Sequence, residues 1–187
     1  MKANTEKFDA LVKLFGMDVK VVKSIKTWAF GSAILSGIST TAGYGPGVDA
    51  YFLEKAKGNK TILELEGIAY QYDLLNSFSD LDQENAFIGD LKGIDIAVTE
   101  LNGMYDSYKA GDEKALIELL LRPVPNVSAD YNKKLLTDRN IGMADKIDSY
   151  LKTKDTYFVI AGAAHFIGDS SVIEFLTKKG YTVERIK

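Results

Sequence analysis

The clearest candidate for chemistry is His165, the only histidine of the chain, in the stretch FVIAGAAHFIGD. Imidazole titrates near neutral pH and binds metal ions, so a histidine can act as a proton acceptor or as a ligand. Gly162 and the two alanines after it keep the backbone beside His165 slim, which leaves room for a substrate or an ion. The alternative is a hydrogen-bonded structural histidine at the end of a buried strand, and position alone favours it.

A polar pair interrupts the apolar face of a predicted helix. Leu136, Met143 and Ile147 recur at helical spacing, and Asn140 lies on the same stripe with Arg139 at its edge. A buried amide needs hydrogen-bond partners. Spacing alone favours a bond that fixes packing over a functional site, and both interpretations stay open.

Two carboxylates also lie at positions where a site could form. Glu66 ends the strand predicted for KTILELE, and Asp49 follows GPGV at the start of a predicted helix. A solvated sheet end accounts for Glu66 without function. Helix capping or the helix dipole accounts equally for Asp49.

Composition narrows the classes of protein and of site. A length of 187 residues predicts one domain, over residues 1–187. The net charge of −3, without a basic stripe, argues against a nucleic-acid partner. The absence of cysteine excludes disulfides, thiolate zinc sites and cysteine nucleophiles. No signal peptide or membrane-spanning run is visible, so we expect a soluble chain as given.

The pattern of elements predicts an α/β fold. The stretches TYFVIAG and YTVERI are typical of strands, and they flank a helix opened by the Ser171–Glu174 capping box. Strand, helix and strand in this order predict a parallel βαβ unit. Helical periodicity over about 81–110 and 128–152 predicts a long antiparallel helical hairpin beside a small, largely parallel sheet. Ligands bind at the carboxyl ends of strands in such sheets, where His165 and Glu66 are expected.

Five stretches occur in an order that resembles one known family. They are GVDAYFLEKA, ILELEGIAYQYDLL, YKAGDEKAL, LLTDRN and YFVIAGAAHFIGDSSVIEFLTKKGYTVERI. The last is the most specific, because Gly162–His165 fits a G-x-x-H motif. On these motifs the chain resembles the TraB/GumN family, which includes the pheromone-shutdown protein PrgY and is related to the animal Tiki proteases.

The resemblance implies a metal-dependent hydrolase, of a peptidase kind, that acts on a peptide or another small substrate. By position, His165 would be a metal ligand or base, Glu66 a ligand or general base, and Arg139 a stabiliser of developing negative charge. Substrate-binding roles would fall to Asn140, Asp49 and Gly162. A divalent metal in the full-length protein would be held in part by His165 and Glu66.

One departure from the family changes these expectations. The first G-x-x-H motif is missing, and one imidazole with carboxylates is a poor zinc or iron site. We therefore expect a truncated domain that is inactive alone, from a bacterial protein that is extracytoplasmic or membrane-associated at full length. Loss of a strand would expose a sheet edge, through which a homodimer could form. A module that binds or sequesters pheromone-like peptides, and a structural remnant without catalysis, are the alternatives.

Overall fold

The computed structural model describes residues 2–22 and 24–186, and its regular structure is helical. Short turns of 3-10 helix occur at Ile94–Ile96 and Ala163–His165, and a turn of π-helix at Lys133–Thr137. The α-helices of the described residues are α1 (Lys2–Leu14), α2 (Val19–Val22), α3 (Thr27–Thr41), α4 (Val48–Ala56), α5 (Ile68–Ser77), α6 (Asp80–Gly93), α7 (Ala97–Ala110), α8 (Glu113–Leu120), α9 (Ala129–Asn132), α10 (Asp138–Leu151) and α11 (Val172–Lys178).

The prediction of an α/β fold with a parallel sheet is wrong. None of the described residues forms a strand, and the segments expected to pair are irregular. Leu65 and Val159, from two of those segments, nevertheless pack against the helices. The apolar pattern therefore predicted only part of the burial, because Ile62, Leu63 and Phe158 of the same segments are exposed. A strand also exists only where its N–H and C=O groups pair with a neighbouring strand. The described part of the chain presents no sheet edge, and a homodimer stays a prediction.

The first of two cores lies where α1, α2, α3 and α6 meet. Its buried side chains are Leu11, Val12, Val22, Phe30, Ile34 and Leu91. Phe30 lies with its ring centroid 5.5 Å from that of Phe8 and 5.4 Å from that of Phe87. These tilted and edge-on arrangements are the ones that aromatic rings prefer, so they fix how α3 crosses its neighbours.

The second core joins α10 to α11 and underlies the candidate site. Met143, Ala144 and Ile147 of α10 are buried against Val172 and Leu176 of α11. This is the stripe that helical periodicity predicted. The capping box is also confirmed, because the Ser171 hydroxyl accepts a hydrogen bond from the Glu174 backbone N–H at 3.2 Å.

The predicted long hairpin is replaced by a different packing. The helix predicted over 81–110 is divided into α6 and α7 after Gly93, a residue with low helix propensity. Helix α6 packs on α1 and α3, α7 packs on α8, and α10 packs on α11. The start of α9 is tied to α6, where the backbone N–H of Ser128 donates to Asp82 at 2.7 Å.

Across the described residues, no helix combines the length and the apolar character needed to cross a membrane.

Candidate active site

A turn of π-helix leads directly into the residues of interest. Lys133–Thr137 forms this turn between α9 and α10, and Arg139 and Asn140 lie in the first turn of α10. A π turn inserts an extra residue into a helix and is frequently found at functional sites. It sets the rotation at which Asn140 enters the second core, where its side chain is fully buried.

Asn140 joins α10 to the loop that carries His165. Its Nδ2 donates to the backbone carbonyl of Ser170 at 2.8 Å, and its Oδ1 lies 2.6 Å from Nδ1 of His165. His165 is itself buried, with 8% of its surface exposed. The lone histidine and the polar interruption on the helix, 25 residues apart in sequence, are therefore direct partners.

These contacts define which ring nitrogen of His165 carries the proton. The Ser170 carbonyl can only accept, so the NH2 group of Asn140 must face it and Oδ1 must face the imidazole. Because Oδ1 also only accepts, Nδ1 of His165 is the N–H donor. The lone pair of the neutral ring is therefore on Nε2.

Nε2 is the nitrogen that can react. No hydrogen bond to it occurs within the described part of the chain, and every fully buried side-chain nitrogen or oxygen there has a partner. Nε2 must therefore reach solvent. Burial lowers the pKa of His165 below its ordinary value of 6.5, the positive charge of Arg139 lowers it further, and Glu66 acts in the opposite sense. The ring is consequently neutral at physiological pH.

Arg139 and Glu66 form a two-point ion pair beside this histidine. Nε of Arg139 lies 3.0 and 3.1 Å from the two carboxylate oxygens of Glu66, and Nη2 of Arg139 lies 2.7 Å from Oε2. The Arg139 and Glu66 side chains are only 18% and 7% exposed. Nη1 of Arg139 donates to the Leu135 carbonyl at 3.4 Å, and this bond anchors the guanidinium on its own helical stretch. Such planar pairing fixes both groups in orientation.

The loop around His165 is shaped by short-range contacts. The backbone N–H of His165 donates to the Gly162 carbonyl at 2.9 Å and closes the 3-10 turn. Gly168, with φ of +68°, allows the chain to pass so close to Leu121 that a Cβ there would lie 2.7 Å from Leu121 Cδ1. Ser170 has φ of +56° and directs its carbonyl to Asn140. Ser170 was not singled out from the sequence, since backbone conformation leaves little trace in residue type.

Of the two remaining predicted positions, Gly162 lies next to His165 and Asp49 has no bond to the cluster. Gly162 borders His165, and a Cβ on it would lie 3.8 Å from the ring carbon Cδ2. Asp49 is exposed in the first turn of α4, and no recorded bond connects it to the four-residue cluster of Glu66, Arg139, Asn140 and His165. Gln71, which sequence reasoning missed, donates to Glu66 Oε2 at 3.4 Å from the first turn of α5. No spacing rule would have identified it.

The donor set does not make a metal site on its own. Among the described residues, no group of three or more His, Asp or Glu side chains could hold an ion. His165 offers one nitrogen, and both oxygens of Glu66 are already bound by Arg139. Stable zinc sites take at least three protein ligands. The pair predicted from sequence, His165 and Glu66, is therefore an incomplete ligand set.

Comparison with protein families places the chain. The model of the TraB/PrgY/gumN family matches residues 1–185. The chain belongs to this family. The resemblance expected from the order of its motifs is thereby confirmed, and the Gly162–His165 motif lies within the matched region.

Relatives in the TraB/PrgY/gumN family carry protease names. "Metalloprotease TIKI homolog" of Nematostella vectensis is 26% identical over 170 residues, covering 76% of this chain and 36% of the relative. "Metalloprotease TIKI2" of Xenopus tropicalis is 34% identical over 92 residues, covering 46% and 18%. "Metalloprotease TIKI homolog" of Amphimedon queenslandica is 25% identical over 151 residues, covering 65% and 29%. The chain thus spans about a third or less of the length of these relatives. No solved structure matches it significantly.

Proposed function

We propose that this chain carries part of the active site of a peptide-hydrolysing enzyme, with His165 as the group that takes part in the reaction. The observation that carries the proposal is the buried contact of 2.6 Å between Asn140 Oδ1 and His165 Nδ1. It supports a neutral imidazole with its lone pair on the exposed Nε2. Family membership and the protease names of the relatives support the class of reaction.

Each member of the cluster then has a role that its contacts support. His165 presents Nε2 as a proton acceptor or ligand, and Asn140 positions it. Arg139 places a positive charge beside the imidazole, where it can stabilise developing negative charge. Both carboxylate oxygens of Glu66 accept hydrogen bonds from Arg139. We therefore assign Glu66 the role of positioning Arg139 rather than that of general base.

A divalent metal belongs to the proposal only with ligands from outside the described cluster. The His165 nitrogen would supply one position, and the other ligands would have to come from elsewhere in the complete gene product or from a second protein. An extracytoplasmic or membrane-associated location of the full-length protein is part of the same proposal.

The test compares two substitutions in the complete gene product. His165→Asn retains an N–H near the position of Nδ1, so it can still donate to Asn140, but it removes Nε2. Asp106→Asn, on the exposed side of α7, is the control. Cleavage of a mixed peptide pool is followed by mass spectrometry with added divalent ions. We expect H165N to lower the cleavage rate by about 100-fold or more while D106N has no effect.

Circular dichroism and thermal melting show whether the H165N protein is folded, so that lost cleavage can be distinguished from lost structure. A folded H165N protein that cleaves peptides at the wild-type rate would contradict the proposal. So would a folded wild-type protein that binds peptides in the presence of metal ions but never cleaves them.

That second outcome would favour the alternative, a module that binds peptides without hydrolysis. One observation supports it independently. Ile68, Tyr70 and Tyr72 of α5, directly after Glu66, are 84%, 48% and 57% exposed. Exposed apolar groups next to a polar cluster are typical of surfaces that bind other molecules.

A further inference from the structure

A second concave site lies between α3, α5, α6 and the π turn. It encloses a cavity of about 210 Å³. An apolar cavity of about 150 Å³ accommodates a molecule the size of benzene, whereas pockets for drug-sized ligands begin near 300 Å³. This cavity therefore suits one side chain or one small molecule.

Aromatic rings form much of its wall, and their orientations are fixed. Trp28, Phe78, Phe87 and Tyr131 all line the cavity. Nε1 of Trp28 donates to the side chain of Asn76 at 3.1 Å. The rings of Phe78 and Tyr131 lie 4.3 Å apart between centroids. Rings held in this way offer π faces, which attract cations.

The charged group at the cavity is a carboxylate without a counter-ion. Asp90 is the only charged side chain of the described cavity lining, and no ion pair or hydrogen bond to it occurs among the described residues. Oδ2 of Asp90 leans over α3, where a Cβ on Gly31 would lie 3.7 Å away. Asp90 as a residue remains exposed to solvent, and the packing that removes part of the water around its carboxylate raises its pKa.

A second polar side chain lines the same cavity. Gln83 is only 4% exposed, and its Nε2 donates to the Phe78 carbonyl at 2.9 Å. The carbonyl only accepts, so the other end of the amide, Oε1, is free to accept. Every fully buried polar side-chain atom of the described chain has a partner, so Oε1, which has none, keeps some exposure to solvent. The cavity thus offers a negative charge and aromatic faces, and the Gln83 amide lies in its wall.

We propose that this cavity binds an alkylammonium group of the size of a lysine side chain, with Asp90 as the counter-charge. The positive charge of the ammonium group pairs with the carboxylate, while its methylene chain packs on Trp28 and Phe87. A neutral ligand would gain nothing from the Asp90 charge, and an anionic ligand would be repelled by it. The inference goes beyond the proposed hydrolysis and does not depend on it.

The cavity is also adjacent to the candidate active site. Leu135 lines the cavity, and its backbone carbonyl accepts the hydrogen bond from Nη1 of Arg139. One continuous helical stretch, from α9 through the π turn to α10, therefore contributes to both places. A peptide carrying a lysine could occupy the cavity while another part of it lies near His165.

Trp28 provides the measurement, because it is the only tryptophan of the chain and it lines the cavity. The probe is n-butylammonium chloride, titrated against tryptophan fluorescence at constant ionic strength. We expect a saturable change with a Kd in the range of about 1–10 mM. The neutral analogue 1-butanol, which has the same number of heavy atoms, should bind about tenfold or more weakly.

Two variants isolate the charge. Asp90→Asn keeps the shape of the side chain and breaks no recorded contact, so it should remain folded and weaken butylammonium binding by about tenfold. Asp106→Asn removes one charge from an exposed position on α7 and should leave binding unchanged. Binding of Nα-acetyl-lysine methylamide, but not of the norleucine analogue, would identify a peptide side chain as the source. Binding of butylammonium without the peptide analogue would identify a free amine.

Three results would overturn the inference. They are the absence of saturable binding up to about 100 mM, equal affinity of a folded D90N protein and the wild type, and equal affinity for 1-butanol and butylammonium. None of these bears on peptide cleavage, so failure here is distinguishable from failure of the proposed function.

Discussion

At the scale of single residues, the choice of a neutral partner decides the state of His165. An aspartate in the place of Asn140 would stabilise the protonated ring and raise its pKa. The amide instead accepts the Nδ1 hydrogen without adding charge, and burial together with Arg139 keeps the pKa low. The arrangement therefore presents an unprotonated Nε2 at neutral pH. It is suited to accepting a proton or binding an ion rather than to donating a proton.

The two charges beside the imidazole should affect it in opposite directions. Removing the negative charge with Glu66→Gln is expected to lower the pKa of His165 further, because Glu66 raises it. Removing the positive charge with Arg139→Gln is expected to raise that pKa. The titration can be followed by proton NMR without assignment, since the chain has one histidine. Shifts of the same sign in both folded variants would contradict this electrostatic description.

At the scale of elements, two helices with glycine inside them serve different purposes. In α3, a Cβ on Gly37 would lie 2.3 Å from Cε1 of Phe15, so this glycine permits close approach of the first-core aromatic. In α10, a Cβ on Gly142 would meet nothing within 4 Å. The first is required by packing and the second is not. Helix α3 also carries Trp28, so the packing of α3 on its neighbours affects the shape of the cavity.

Alanine at each of these glycines should therefore have opposite effects on stability. Gly37→Ala is expected to lower the free energy of unfolding by about 1–3 kcal/mol, because Phe15 must be displaced. Gly142→Ala is expected to raise it by about 0.5–1 kcal/mol through helix propensity alone. Urea denaturation of both variants provides the comparison. A stabilising effect of G37A would show that Phe15 does not pack on α3 as described.

At the scale of the whole molecule, the sequence predicted contacts better than it predicted architecture. Glu66, Arg139, Asn140 and His165 were each identified, and the folded chain gathers all four. They meet through a helix, a turn of 3-10 helix and one irregular segment. Apolar periodicity indicates which residues tend to be buried and does not indicate which backbone groups pair. The stretches around Leu65 and Val159 illustrate this, since both are packed yet neither forms a strand.

The cavity at Asp90 shows a second limit of sequence reasoning. Asp90 lies on α6 beside the apolar seam, and an acidic residue there is ordinary for a solvated helix edge. Its significance depends on Trp28 of α3 and Tyr131 of α9, which line the same cavity from other parts of the fold. No spacing within a single helix could have indicated that combination.

The most direct test of the central claim is the protonation state of His165, measured by long-range proton–nitrogen NMR on the nitrogen-15-labelled chain. We predict that the neutral ring carries its proton on Nδ1 and that its pKa lies below 6.5. If the Asn140→Ala variant folds, its His165 ring should no longer favour protonation on Nδ1. A neutral ring protonated on Nε2, or a pKa at or above the ordinary value, would contradict the account.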